Sequence, residues 1–189
     1  MEPLELALII GSNRDGRFGT VVADWLVAVI DERHDFHLDV VDLAAVDLPV
    51  RWTRDPLPHL EEYRARLARA DAFVVLTPEY NHSYPAPLKQ AIDLSQGQFA
   101  RKPVAFVSYG GFSGGIRAVE HLRPVFAEVH AATIRESVSF HQAWERFDAD
   151  GWPHDASVID AAGVMLNDLA WWAATLRAGR HADSEVTSA

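Results

Sequence analysis

Apolar residues recur along the chain in two alternating rhythms, short strand-like runs and longer stretches at helical spacing. Leu4–Ile10 is mostly apolar, ends at Gly11, and predicts a first strand. Val22, Trp25, Leu26 and Val29 then predict a helix from about Phe18 to Asp31. Phe36, Leu38 and Val40 alternate with His37 and Asp39, the pattern of a half-exposed strand. Leu60, Tyr63 and Leu67 mark a second helix, with Glu62 and Arg66 as a supporting pair one turn apart. Ala72–Thr77 predicts a buried third strand, Pro85–Leu94 a third helix, and the uncharged Val104–Ser108 a fourth strand. Val119, Leu122, Phe126 and Val129 place a fourth helix between Gly114 and His130, where Pro124 is expected to introduce a kink. Ala131–Phe140 carries Arg135 and Glu136 and predicts a more polar fifth strand. Ala156–Leu176 predicts a closing helix, and the small, polar residues from Gly179 onward predict a frayed tail.

Alternating strands and helices specify an α/β fold with a parallel sheet and crossover helices. Strands buried on both faces read as continuous apolar runs, whereas edge strands carry alternation or charge. Strands 1, 3 and 4 are the apolar ones here, and 2 and 5 are mixed. That predicts a five-stranded parallel sheet in the order 2-1-3-4-5, a flavodoxin-like three-layer sandwich. The dinucleotide-binding order would put the apolar third strand at an edge. Neither a repeat nor a linker interrupts the pattern, so residues 1–178 are expected to form one domain, with 179–189 as the tail.

Charge and composition narrow the chemistry. Seventeen basic residues stand against 27 acidic ones, a net charge of −10, which argues against a nucleic-acid or anionic-membrane partner. The chain has no cysteine, which excludes thiolate metal sites, disulfides and cysteine nucleophiles. Its histidines lack metal-ligand spacing, so no metal is expected. No apolar run reaches the roughly 20 residues needed to span a bilayer. Met1-Glu2-Pro3-Leu4-Glu5 has no basic segment of the signal-peptide kind, and a cytoplasmic location is the expectation.

In such a sheet the loops after strands 1, 3 and 4 share the rim where ligands bind. The first, Gly11 to Thr20, combines glycines, Ser12, Thr20, Arg14 and Arg17 at a helix start, a composition suited to an anion. It has neither the Lys-Ser/Thr ending of a P-loop nor G-x-G-x-x-G spacing. The second, Thr77 to Pro85, sets Tyr80 and Tyr84 between prolines, so that a stiff backbone and an aromatic face can meet a heterocycle. The third, Ser108 to Gly115, holds two glycine pairs that permit close backbone approach. Each loop taken alone also reads as an ordinary turn; together they point to a flat, phosphorylated ligand.

These loops resemble those of the NAD(P)H-dependent FMN reductase family of the flavodoxin-like superfamily. The resemblance rests on Gly11-Ser12-Asn13-Arg14, Gly16-Arg17-Phe18-Gly19, Pro78-Glu79-Tyr80-Asn81, Leu88-Lys89-Gln90-Ala91-Ile92-Asp93 and Gly110-Gly111, and extends from about Leu6 to Ser139. It implies FMN as cofactor and NADPH or NADH as co-substrate. Ser12, Arg14, Gly19 and Thr20 would cradle the phosphate, with Arg17 beside it. Pro78, Glu79, Tyr80 and Asn81 would line the isoalloxazine, and Ser108, Tyr109, Gly110 and Gly111 would close over it. The first loop is the Gly-rich variant, where the commoner family version has Ser and Asn further along. Hydride would pass through the flavin to a small acceptor: a flavin, quinone, azo compound or metal oxyanion.

The cofactor carries such chemistry, so no catalytic side chain is expected, and backbone amides of Pro78–Asn81 are candidates to stabilise charge on the ring. His82 lies close to the proposed ring site, but a lone loop histidine reads first as a solvated or packing residue. A flavodoxin-type electron carrier is the rival; the acidic balance suits it, the two loop arginines do not. A protein binding another nucleotide at the phosphate loop is a third reading. On the last helix, Ile159, Leu166, Leu169 and Leu176 form one seam, and Val158, Met165 and Trp172 another. This double seam, with Trp171 and Trp172, is wider than one sheet face needs and reads either as core or as part of the contact of a homodimer or homotetramer, the usual state that the resemblance implies. The third helix is the other candidate for that contact.

Overall fold

The computed structural model describes residues 2–49, 51, 57–95 and 97–187. Five strands form one parallel sheet in the order β2-β1-β3-β4-β5, with β1 Leu4–Ile10, β2 Phe36–Asp42, β3 Ala72–Pro78, β4 Pro103–Gly110 and β5 Ala132–His141. The helices are α1 Gly19–Asp31, α2 Pro58–Arg69, α3 Ala86–Asp93, α4 Ile116–Glu128 and α5 Ala156–Thr187. The order is the one strand polarity predicted. β3 is buried along its whole length, because it lies between two strands and under helices on both faces.

Strand side chains alternate between two cores. Leu6, Leu8, Val74, Leu76, Val107 and Phe140 pack with Trp25 and Leu26 of α1 and Met165, Leu166 and Leu169 of α5. Ile9, Phe73, Val75 and Phe106 point the other way, onto Tyr63 of α2, Leu88 and Ile92 of α3, and Phe126 of α4. The Tyr63 hydroxyl donates to the Ala91 carbonyl at 3.0 Å, so its one polar atom is satisfied inside the core.

Two local expectations are adjusted, and two further features find their structural setting. β4 continues through Ser108 and Tyr109 to Gly110, so the strand ends two residues later than its sequence suggested. α4 runs on through Pro124, whose missing N–H leaves only one position of the helical ladder unfilled. β5 tolerates its polar stretch because the ladder to β4 shifts register between Val104 and Phe106, and Arg123 donates to the Ile134 and Arg135 carbonyls. The other adjustment concerns the tail, since α5 extends past Gly179 to Thr187. Arg177 and Arg180 both reach Asp71, at 3.2 and 2.8 Å, and Arg180 also donates to the Arg101 carbonyl. These long-range bonds hold turns that propensity alone would leave frayed. The buried face of the helix draws on both predicted seams, Met165 from one and Leu166 and Leu169 from the other, while Ile159, Trp171 and Trp172 face outward.

Candidate active site

The loops after β1, β3 and β4 meet at the carboxyl ends of the three central strands. Gly11 extends the β1 ladder by donating to the Leu76 carbonyl at 2.8 Å, after which the chain turns toward α1. No side chain caps the start of α1, and its first turn carries no acidic residue. Its N-terminal N–H groups and partial positive charge are therefore directed into the rim.

Ser12 is fully buried, and its Oγ lies 2.7 Å from the Tyr80 hydroxyl. The Arg14 guanidinium stands over the Tyr80 ring, 5.7 Å from its centroid. Arg17 has a different role from the one expected of it. It donates to the Ser12 carbonyl and to the Asp42 carboxylate, and only 9% of its side chain is exposed. It braces the first loop against the end of β2. Asp42 is thus a positioning residue that loop motifs could not reveal; its only sequence signal is a carboxylate closing the second strand.

Gly19 opens α1 directly above Tyr109. A Cβ there would lie 2.4 Å from the Tyr109 hydroxyl, so glycine is required for the loop to sit this low. Burial pushes the Tyr109 hydroxyl well above the ordinary tyrosine range, reinforced by Tyr80 and opposed by the positive charges of Arg17 and Arg14 and by a hydrogen bond with Ser12. Tyr109 therefore remains a neutral support beneath the rim. Thr20 donates to the Arg17 carbonyl at 3.2 Å and is exposed beside the helix start.

In the second loop Pro78 ends β3, and Tyr80 to Ser83 form a tight turn closed by two backbone hydrogen bonds. The Glu79 and Tyr80 amides are already engaged, with the carbonyls of Tyr109 and Ser83. Asn81 and His82 adopt left-handed conformations, with φ of 48° and 72°, and among the described residues their N–H groups have no acceptor. Two consecutive non-glycine residues in that region mark local strain of the kind that accompanies binding sites. His82 also lies 6.0 Å, ring to ring, from His121, which is hydrogen-bonded to Ser83.

Glu79 joins the second loop to the third. Its side chain is 8% exposed, accepts from the Ser113 hydroxyl, and meets Arg117 through both the guanidinium at 3.0 Å and the backbone N–H. Ser113 and Arg117 escaped the sequence reading, although both stand at the entrance to α4. Ser108 is buried and donates to the Gly114 carbonyl, directly under Gly115, where a Cβ would collide with it at 2.6 Å. Gly115 also has a φ of 90°, which suits glycine alone. Of the third loop's candidates, then, Gly110 and Gly111 stand at the rim, while the side chains of Ser108 and Tyr109 support it from below.

The structure thus brings together Ser12, Arg14, Gly19, Thr20, Pro78–Asn81 and Gly110–Gly111 on one rim. No group of three or more metal-ligating side chains occurs among the described residues, and no described helix is long and apolar enough to cross a membrane.

The family model for NADPH-dependent FMN reductase matches residues 4–145. A probable NADPH:quinone oxidoreductase 2 of Oryza sativa subsp. japonica is 31% identical, over 96% of this chain and 94% of its own length. The NADPH:quinone oxidoreductase of Arabidopsis thaliana is 32% identical over 78% of this chain and 81% of its own. Among solved structures, the flavoenzyme NAD(P)H:(acceptor) oxidoreductase FerB of Paracoccus denitrificans shares the fold, with a TM-score of 0.74 at 23% identity, covering 91% of this chain and 98% of that one.

Proposed function

This chain belongs to the NADPH-dependent FMN reductase family and is an FMN-dependent NAD(P)H oxidoreductase; from that premise we propose that the rim holds the FMN and that the acceptor is a quinone or a flavin. The observation that carries the placement is the convergence of three loops, tied together by the Ser12–Tyr80 and Glu79–Arg117 contacts.

The residues fit FMN by the chemistry of their donors. Ser12, Arg14, Thr20 and the uncapped start of α1 make one positive, hydroxyl-rich end suited to a phosphate. Gly110 and Gly111, which carry no side chains of their own, let a flat ring approach the backbone at the opposite end. FMN, when bound, supplies the hydride chemistry at its N5 atom. The protein's part is to bind, orient and polarise. Arg14 and the α1 terminus hold the phosphate. Arg17, through Asp42, keeps the first loop in register. The N–H groups of Asn81 and His82, rather than those of Glu79 and Tyr80, are the amides available to stabilise negative charge on the ring edge.

The acidic chain and nicotinamide co-substrate suit a cytoplasmic enzyme. The outward-facing Val164, Trp171 and Trp172 on α5 support a homodimer or homotetramer joined through this face, which sedimentation of Trp171→Glu tests by a shift to monomer. The main reading is tested by purifying the protein and adding NADPH anaerobically. A yellow preparation that bleaches without a protein partner is the expected result. A colourless protein unshifted by added FMN, or a yellow one that NADPH leaves unbleached, overturns it.

A further inference from the structure

The segment after β5 lies outside every motif, yet the structure fastens it to the third loop. Gln142 donates its N–H to the Gly111 carbonyl at 2.9 Å. The His141 ring is 2.9 Å from the Phe112 carbonyl, and Ser139 donates to the Gly114 carbonyl at 2.9 Å. Gln142 itself is left-handed, with a φ of 48°, and starts the short 3-10 turn Ala143–Glu145. That turn places Trp144 against the rim: its ring tip would lie 3.5 Å from a Cβ on Gly111.

Trp144 is nevertheless 58% exposed, and Phe112, next to Gly111 on the third loop, is 87% exposed. Ala143 and Phe147, one and three residues away, turn into the core instead: Ala143 is buried and Phe147 packs on Phe18 and Phe140. The backbone is therefore rigidly anchored while the two large rings stay in solvent. Leaving such apolar area wet is unfavourable, and aromatic faces gain most from offset or edge-on contact with another ring. Gly111, within the proposed flavin rim, is the residue they flank.

We propose that Trp144, with Phe112, forms an aromatic platform beside the flavin that stacks a planar electron acceptor, a quinone or an isoalloxazine, and so sets the enzyme's preference for flat acceptors. This rests on the functional reading above. Gly111, Phe112 and Trp144 are uncharged, and the atoms that a Cβ on Gly111 would meet within 4 Å are the Trp144 ring tip and the Gln142 side-chain oxygen, at 3.5 and 3.8 Å. A carbonyl-bearing ring suits these surroundings better than an oxyanion such as chromate.

The test begins by measuring flavin content, so that failure of the functional reading is seen first and separately. FMN-loaded wild type, Trp144→Ala and Trp144→Phe are then titrated in the oxidised state, without NAD(P)H, with anthraquinone-2-sulfonate by calorimetry. Trp144→Ala is expected to weaken binding about ten-fold, and Trp144→Phe to recover most of it. In turnover, the ratio of quinone to ferricyanide reduction rates should fall about ten-fold for Trp144→Ala. A change in dissociation constant below about two-fold overturns the proposal, since stacking would then contribute less than about 0.4 kcal/mol. So does a shift from oligomer to monomer on sedimentation of Trp144→Ala, which would assign the ring to a contact between copies of this chain.

Discussion

The hydroxyls of Ser12 and Tyr80 lie 2.7 Å apart, joining two loops separated by 68 positions in the chain. One loop is proposed to bind phosphate and the other to line the ring, so the bond fixes the distance between the two ends of the ligand.

Tyr80→Phe removes that bond and keeps the ring on which Arg14 rests. A neutral hydrogen bond contributes about 1 kcal/mol net. Affinity for FMN should fall about five-fold, measured by titrating the apoprotein and following flavin fluorescence. An unchanged dissociation constant would mean that the two loops hold their spacing without the bond.

Glu79 and Arg117 fasten the second loop to α4, but Arg117 is partly open to solvent, with 40% of its side chain exposed. The pair is therefore worth less than a buried one. A double-mutant cycle with Glu79→Gln and Arg117→Gln should give a coupling of about 0.5–1 kcal/mol in urea unfolding. A coupling of zero would reduce Glu79 to its bonds with Ser113 and the Arg117 backbone N–H.

Gly19→Ala sets two effects against each other. Alanine in a helix is favoured over glycine by about 1 kcal/mol, but the added Cβ would meet the Tyr109 hydroxyl at 2.4 Å inside a packed region. Overpacking of this kind costs about 1–3 kcal/mol, so net destabilisation and weaker flavin binding are expected. Tyr109→Phe removes the oxygen and leaves the nearest ring carbon at 3.1 Å. The double variant should recover part of the lost stability in thermal unfolding; if it recovers none, the clash is not with Tyr109.

Lys102 is buried at the other end of the sheet, donating to the Leu67 and Ala68 carbonyls at 2.9 and 2.8 Å. Burial, reinforced by the nearby charge of Arg180 and opposed by Asp71, lowers its pKa to about 8. Unfolded lysine titrates near 10.4. Between those values the unfolded chain binds more protons than the folded one, so this residue makes stability rise with pH from about 8 upward and contributes no slope below. The gain between pH 8 and 9.5 should reach at most about 2 kcal/mol and should vanish in Lys102→Met. Urea midpoints at these two pH values decide it; equal slopes for both proteins would place the lysine's titration elsewhere.

The strand order was legible because burial on two faces demands uninterrupted apolar residues. The uninterrupted apolar run Ala72–Thr77 read as interior, while His37, Asp39, Arg135 and Glu136 read as belonging to edge strands, which is where the sheet has them. The three rim loops were legible for a related reason: a parallel sheet puts them at one end, and glycine, proline and hydroxyl residues are what close turns around a ligand require. Local composition and period sufficed there, and Ser12, Tyr80 and the Gly110-Gly111 pair emerged on the rim.

Partnership was different, because it depends on residues far apart in the chain. Arg17 and Arg14 have the same local setting, but only folding brings Asp42 beside Arg17 and Tyr80 beneath Arg14. Glu79 was recognised in its motif without its anchors, Ser113 and Arg117. The last turns of α5 depend on Asp71, more than a hundred positions away, and so looked frayed. Trp144 had no local sign of function, and its position beside Gly111 follows from the backbone bond between Gln142 and Gly111, 31 positions apart in the chain. Sequence periodicity and turn chemistry determined the scaffold and the loops that form the rim. Tertiary structure alone decided which side chains are free to meet a ligand and which are held by another residue, since hydrogen bonds and ion pairs act over a few ångströms of space whatever the separation along the chain.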